Sequence, residues 1–416
     1  MNQNLNQNNQ ASREKNLLSL NRERLLGGYH GRLLLILTLG AALAKFAKLV
    51  LPPLLPAIAM DLSITPVLAG GALSLLTLTS AFLQYPGGKL SDRLSRKTVL
   101  VVSFIFLITG SILLLSAPSY WVFILGVIII GACDGLFHIP ARSLLSDFYK
   151  AKRNRAFGLH LIAIDIAGIF AAVVAIVAVA TWRAVFVPVL FAAIGVLILY
   201  HTSSRGNYVF NSVSLEITST MKRLFHSRSI RQLILVNGLF SFVFQGFIGF
   251  LPLFLQTYHG LSLSFAAGGF ALLFAIGIFV KPLSGDLADK LGGSMITIVS
   301  LCLISVGLLF LLISSNVILL LGGIALVAIG QKAFTPPMQS ILLDAVSKEN
   351  NAGDYGAVRT VFFAIGSAGP LYMGIMASLL GYDFAFLGLV ACMIFGSALL
   401  FKLGTKYNHN SVNKLP

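Results

Sequence analysis

From the N-terminus, a polar stretch gives way near residue 32 to a run in which almost every position is apolar. The same alternation of long apolar run and short polar break then repeats to the end of the chain. A helix needs about 20 mostly apolar residues to cross the hydrocarbon core of a bilayer. With that window the chain divides into twelve spans: 32–55, 66–87, 98–117, 120–145, 156–180, 183–201, 231–256, 263–284, 295–314, 316–345, 355–380 and 382–402. Apolar residues lie all round these segments, so lipid and neighbouring helices share the burial. No segment shows the alternation over about ten residues that a barrel strand requires. The pattern predicts an all-α membrane protein with twelve transmembrane helices.

Composition agrees. Of 416 residues, 57% are hydrophobic and 11% charged, against about a quarter charged in soluble domains. The net charge of +16 would suit nucleic acid, but its placement argues against that partner. Most of the 30 Lys and Arg fall in the tails and in the loops on the tails' side. Only Arg183 falls at an opposite-side span end, and Lys45, Lys48 and Lys332 fall well inside spans. That asymmetry is the positive-inside rule, which puts both termini in the cytoplasm and the protein in the plasma membrane. The tail 1–31 is too polar for a secretory signal, and its Asn/Gln-rich start reads as disordered. Cys133, Cys302 and Cys392 lie in spans without metal or redox spacing. No phosphate-cradling loop and no helical His-Glu-x-x-His pair occurs, so ATP-driven pumping and metalloprotease chemistry lack support, and no cofactor or metal is expected.

The loops betray a duplication. "GGKLSDRLSRK" after span two and "SGDLADKLGGS" after span eight align at an offset of 197, pairing Gly88 with Gly285 and Asp92 with Asp289. The same offset aligns "FHIPARSLLSD" with "FTPPMQSILLD", pairing Pro140 with Pro337 and Asp147 with Asp344. Two separated patches at one offset mark a six-span unit used twice. The expected organisation is a tail (1–31), a first bundle (32–201), a basic linker (202–230), a second bundle (231–402) and a short tail (403–416). The linker either lies along the inner membrane surface or is simply solvated.

Gly88, Asp92, Arg93, Arg96 and Lys97 follow span two in the spacing G-x-x-x-D-R-x-G-R-R/K, with Ser95 where the last glycine is usual. With that motif, the duplication and the span count, the chain resembles the major facilitator superfamily, in particular its efflux-type members. The resemblance covers residues 32–402. It implies two pseudo-symmetric six-helix bundles around a central cavity that opens to either side in turn. It also implies that Asp92 sits near the start of span eleven, around Tyr355–Ala357, and that Arg96 pairs with Asp147 as a latch on the cytoplasmic side. The second copy departs from the motif: Lys290 stands for the first Arg and Gly292-Gly293 for Ser95-Arg96, leaving Asp344 without an Arg partner. An asymmetric gate is expected. Proton-linked exporters of this superfamily commonly carry Gly-Pro in span five; here that span has Gly158 and Gly168 and no proline. Gly-Pro falls instead in span eleven, where Gly366, Gly369 and Pro370 make a candidate hinge or a packing site.

Five ionisable residues lie well inside spans: Lys45, Lys48, Asp134, Asp165 and Lys332. A charge at the bilayer centre costs about 2.5–3.5 kcal/mol, so these must face a wet cavity, pair, or change protonation state. Lys45 and Lys48 share a helix face, as do Asp134 and His138. The offset carries Lys48 to Gln245 and Asp134 to Gln331, beside Lys332, so polar positions recur in spans one, four, seven and ten. In the family those spans line the cavity. The lysines either bind an anionic group directly, pair with Asp134 or Asp165 in a proton-coupling network, or form a static salt bridge. The leading expectation is a proton-coupled secondary transporter of a small organic solute, functional as a monomer, with export favoured over import by general resemblance. The rival is import of an anionic metabolite or inorganic anion bound by Lys45 and Lys48. A third class is a membrane receptor or scaffold without transport.

Overall fold

The computed structural model describes residues 25–149, 152–209, 222, 224–345 and 351–412, with the side chains of 92, 93, 154, 179, 180, 351–353 and 404–412 excepted. Among these residues, twelve helices are long and apolar enough to cross a membrane. The first span is two helices, α1 (Gly28–Leu49) and α2 (Leu51–Asp61). Pro52 and Pro53 open α2 and have no N–H to give to the carbonyls four residues earlier, so the helix is broken at Val50, just past Lys48. Then follow α3 (Pro66–Arg93), α4 (Arg96–Ser116), α5 (Tyr120–Phe148), α6 (Arg153–Ala178), a 3-10 turn (Val179–Val185) and α7 (Phe186–Ser203).

The second half runs α8 (Arg228–Thr257), α9 (Leu263–Leu291), α10 (Gly293–Ile313), α11 (Val317–Ala345), α12 (Asn351–Gly366), α13 (Ala368–Leu379) and α14 (Tyr382–Val412). The eleventh span is thus interrupted at Ser367, where Pro370 leaves the Gly366 carbonyl without its helical donor.

The 197-residue offset extends into the helix caps. Thr65 accepts from the Leu68 amide to start α3, and Ser262 accepts from the Phe265 amide to start α9. It fails where the loops diverge. Ser95 caps α4 in an extended conformation, its hydroxyl accepting from the Thr98 amide, whereas its counterpart Gly292 takes φ +93°. A side chain is strained there, so the second loop turns through a glycine-only conformation.

Packing repeats as well. In the first half α3 lies on α5, α5 on α4, α4 on α7 and α1 on α6; in the second, α9 lies on α11, α11 on α10, α10 on α14 and α8 on α12. Each half is thus the same six-span bundle. The halves meet where α3 runs along α12 and α13, and where α6 runs along α9. Away from the termini, α2 also packs on α8. At that end a Cβ on Gly70 would strike the Pro370 carbonyl, and one on Gly374 the Pro66 carbonyl, so α3 and α13 pack backbone to backbone. Arg183 is held there by Asp61 at 2.7 Å and by the Ala117 carbonyl, with Trp182 also donating to Asp61. Among the described residues no packing of similar extent joins α5 to α11 or α12.

Candidate functional site

Two buried carboxylates organise the interior. Asp134, on α5, keeps 3% of its side-chain surface accessible and is surrounded by donors. Lys45 Nζ lies 2.6 Å from Oδ1 and Lys48 Nζ 3.1 Å from Oδ2. His138 Nε2, one turn along α5, is 3.0 Å from Oδ1, and the Ser80 hydroxyl of α3 donates to Oδ2 at 2.5 Å. The lysines converge because positions three apart share one face of α1. Of the two partners open from the sequence, the structure selects Asp134. All five residues of this cluster belong to the first half.

Asp165, on α6, is equally buried and faces across the molecule. It pairs with Lys281 of α9, and Lys332 Nζ of α11 lies 3.1 Å from its Oδ1. Lys332 is seated over the Phe274 ring, 4.6 Å from its centre, and its methylenes cover Gly277, where a Cβ would crowd them. Among the described residues this carboxylate is the ionic tie between the halves. Lys45 and Lys281 keep 22% and 28% of their side-chain surface accessible, so each is the less buried cation of its cluster.

A third group was not singled out from the sequence. Arg142, eight residues past Asp134 on α5, interacts electrostatically with Arg359 of α12. Arg359 donates to Gln84 Oε1 of α3 and to the Tyr355 hydroxyl, both at 3.4 Å. Lys281, Arg142 and Arg359 lie inside helices, which corrects the sequence count of three in-span cations, Lys45, Lys48 and Lys332. They were assigned to the tails' side because each falls near a span end. The spacing Asp134, His138, Arg142 was the available signal: one face of one helix.

Other predicted residues scatter. Gln331 is buried with its carbonyl oxygen unpartnered among the described residues, and Gln245 is partly buried on α8. Arg96 and Asp147 do form an ion pair, but between α4 and α5 of one half, with Asp147 56% exposed. Such a surface pair contributes about 0–1 kcal/mol. Gly88 packs under Ile139, whereas Gly285 meets open space. The Asp92 and Arg93 side chains lie outside the described residues. Asp289, Lys290 and Asp344 are exposed and have no ion-pair partner among the described residues. Gly366, Gly369 and Pro370 flank the break at Ser367 and pack on α8, a Cβ on Gly366 meeting Ser241 and one on Gly369 the Phe242 carbonyl.

A pseudo-symmetric pair of six-helix halves with ionisable side chains gathered at their interface defines a secondary transporter. The model of the Major Facilitator Superfamily matches residues 37–314 and 270–415, and the chain belongs to that family. It is a multi-pass plasma-membrane protein. Among curated relatives, the "Probable nitrate transporter NarT" of Staphylococcus epidermidis is 24% identical over 68% of this chain and 73% of its own. The protein of the same description from Staphylococcus haemolyticus is 22% identical over 92% of this chain and 97% of its own. Among solved structures, a bacterial homologue of the human lysosomal transporter Spinster, inward-facing and unoccupied, superposes with a TM-score of 0.74 at 19% identity, covering 90% of this chain and 97% of that one. A D-xylose–proton symporter gives 0.73 at 15% identity, covering 90% and 98%.

Proposed function

We propose that this chain carries a small anion across the plasma membrane by alternating access, coupled to protons. One observation carries the reading: four interior lysines, Lys45, Lys48, Lys281 and Lys332, share two carboxylates, Asp134 and Asp165, with Arg142 further along the helix that carries Asp134. Buried charge is costly without a counter-charge, and an anion would supply it. The naming of relatives along nearly the full chain as probable nitrate transporters supports the same substrate class. Export of a neutral solute would leave the positive surplus uncompensated, and span five lacks the Gly-Pro that the resemblance associates with exporters.

Import would require coupling. Moving a monovalent anion inward against a negative-inside potential costs about 2.3 kcal/mol per 100 mV. One or more protons moving with it offset that cost, and Asp134 and Asp165 are groups able to take them up. An incoming anion would compete with Asp165 for Lys281 and Lys332; protonation of Asp165 would free those lysines and loosen the tie between the halves. The path lies between the chain's own halves, so a monomer suffices.

The test is flux in liposomes containing the purified protein and an entrapped pH dye, with an outside-acid gradient. Added nitrate should acidify the lumen faster than in protein-free vesicles. If nitrate, nitrite, phosphate and small carboxylates all leave the lumen unchanged while a neutral or cationic solute drives flux, the reading is wrong.

A further inference from the structure

The two lysines at Asp165 are not equivalent. One carboxylate on α6 serves two ammonium groups, Lys281 of α9 and Lys332 of α11, with Lys332 Nζ 3.1 Å from its Oδ1. Among the described residues Asp165 is the one charged partner of either lysine. It belongs to the first half and both lysines to the second, so a motion that parts the halves takes the carboxylate from both. Of the four interior lysines, only Lys332 has an aromatic ring beside its ammonium among the described residues. Its Nζ stands 4.6 Å from the centre of the Phe274 ring, within the range of a cation–π contact. Lys332 is also the more buried of the pair.

The sequence builds a seat for that contact. Phe274, Gly277 and Lys281 share one face of α9, and Asp165 and Gly168 share one face of α6. Phe274 is buried and pressed against Gly168, where any Cβ would strike the ring, and the Phe270 ring braces it at 5.3 Å. Gly277 leaves room for the Lys332 methylenes, which a Cβ would meet at 2.9 Å. Ring and groove belong to the same half as Lys332 and travel with it, whereas the Lys281 ammonium is held by Asp165 alone among the described residues. A ring face attracts an ammonium from one side. It leaves the N–H donors now given to Asp165 available to an anion.

We propose that Phe274 is a positioning residue, whose ring holds the Lys332 ammonium in place when Asp165 lets go. Lys332 is then the fixed ligand of the transported anion and Lys281 the mobile one. Protonation of Asp165, or parting of the halves, strands both lysines, and an unpaired charge in a dry interior is costly. The ring offsets part of that cost for Lys332 and keeps its donors aimed where the carboxylate was. Preorganisation of that kind raises affinity for the incoming anion. The proposal rests on the anion reading above and names which lysine is set in advance to receive the anion.

The experiment is nitrate uptake by the full chain in proteoliposomes, with Phe274 replaced in turn by mono-, di- and trifluorinated phenylalanine. Fluorine withdraws charge from the ring face and barely changes its shape. The nitrate KM should rise stepwise along the series with little change in kcat. Phe274→Leu, which removes the ring, should raise KM about five- to thirtyfold. The same fluorinated residues at Phe270, which has no cation beside it among the described residues, should leave KM unchanged. A purely structural role would appear as loss of folded protein in Phe274→Leu with no trend along the fluorinated series, and would overturn the proposal. A KM independent of fluorination, with native nitrate flux intact, would do so too while leaving the anion reading standing. No flux of the native protein with any small anion would sink both.

Discussion

Asp134 gathers Lys45, Lys48, His138 and Ser80 on one carboxylate, and the neighbouring His160 gathers nothing. His160 is fully buried on α6, and neither ring nitrogen has a hydrogen-bond partner among the described residues. An unsatisfied buried polar group costs about 1–3 kcal/mol. Replacing it with an apolar side chain of similar size should therefore not destabilise the fold. His160→Leu is expected to melt at or above the native temperature, measured by the loss of monomeric elution after heating. A drop of several degrees would mean that the imidazole is satisfied by water or substrate, moving it from packing to the transport path. Asp134→Asn should behave oppositely, because it leaves two buried lysines without their counter-charge.

Proline and glycine decide where the helices break and how closely they approach. Pro52-Pro53 interrupts span one beside Lys48, and Pro370 interrupts span eleven beside Gly366. Both breaks belong to segments at the interface between the halves. Gly374 abuts the Pro66 backbone in the contact between α13 and α3. A larger side chain must push these helices apart, and overpacking costs about 1–3 kcal/mol. Gly374→Leu should thus hold the end away from the termini open. Ser74 reports on that contact, because it is buried on α3 and its hydroxyl accepts from the Leu371 amide of α13 at 2.9 Å. The expected outcome is a protein that elutes as the native one does but has lost flux. In the same background, Ser74→Cys should become reactive to a water-soluble maleimide from that side. No gain of labelling at position 74 would show that the wedge is absorbed locally.

For the whole molecule, the difference between the two carboxylates matters most. Asp134 and its partners move together as part of one half, so rocking leaves their bonds intact. Asp165 ties α6 of one half to α9 and α11 of the other, so rocking strains it. A device that links ion occupancy to the state of the gate must bridge the moving parts. Asp165→Asn removes the charge and the titration together. It should abolish proton-driven anion accumulation in liposomes while sparing exchange of anion across the membrane at equal concentrations. Loss of both activities would place Asp165 in substrate binding alone; loss of neither would make the tie incidental.

The sequence alone determined the twelve spans, the duplication at offset 197 and five of the interior charges, because bilayer thickness and helical periodicity act locally on the chain. Asp134 with His138, and Lys45 with Lys48, were legible for the same reason: residues three or four apart share a face. Which carboxylate the lysines choose was not legible, nor that Lys281, Arg142 and Arg359 turn inward. A charge near a span end reads identically whether it meets headgroups or the opposite half. Only the tertiary structure decided that, by bringing α6 against α9 and leaving α5 and α12 apart, since pairing between residues 116 or 167 positions distant depends on how whole bundles dock.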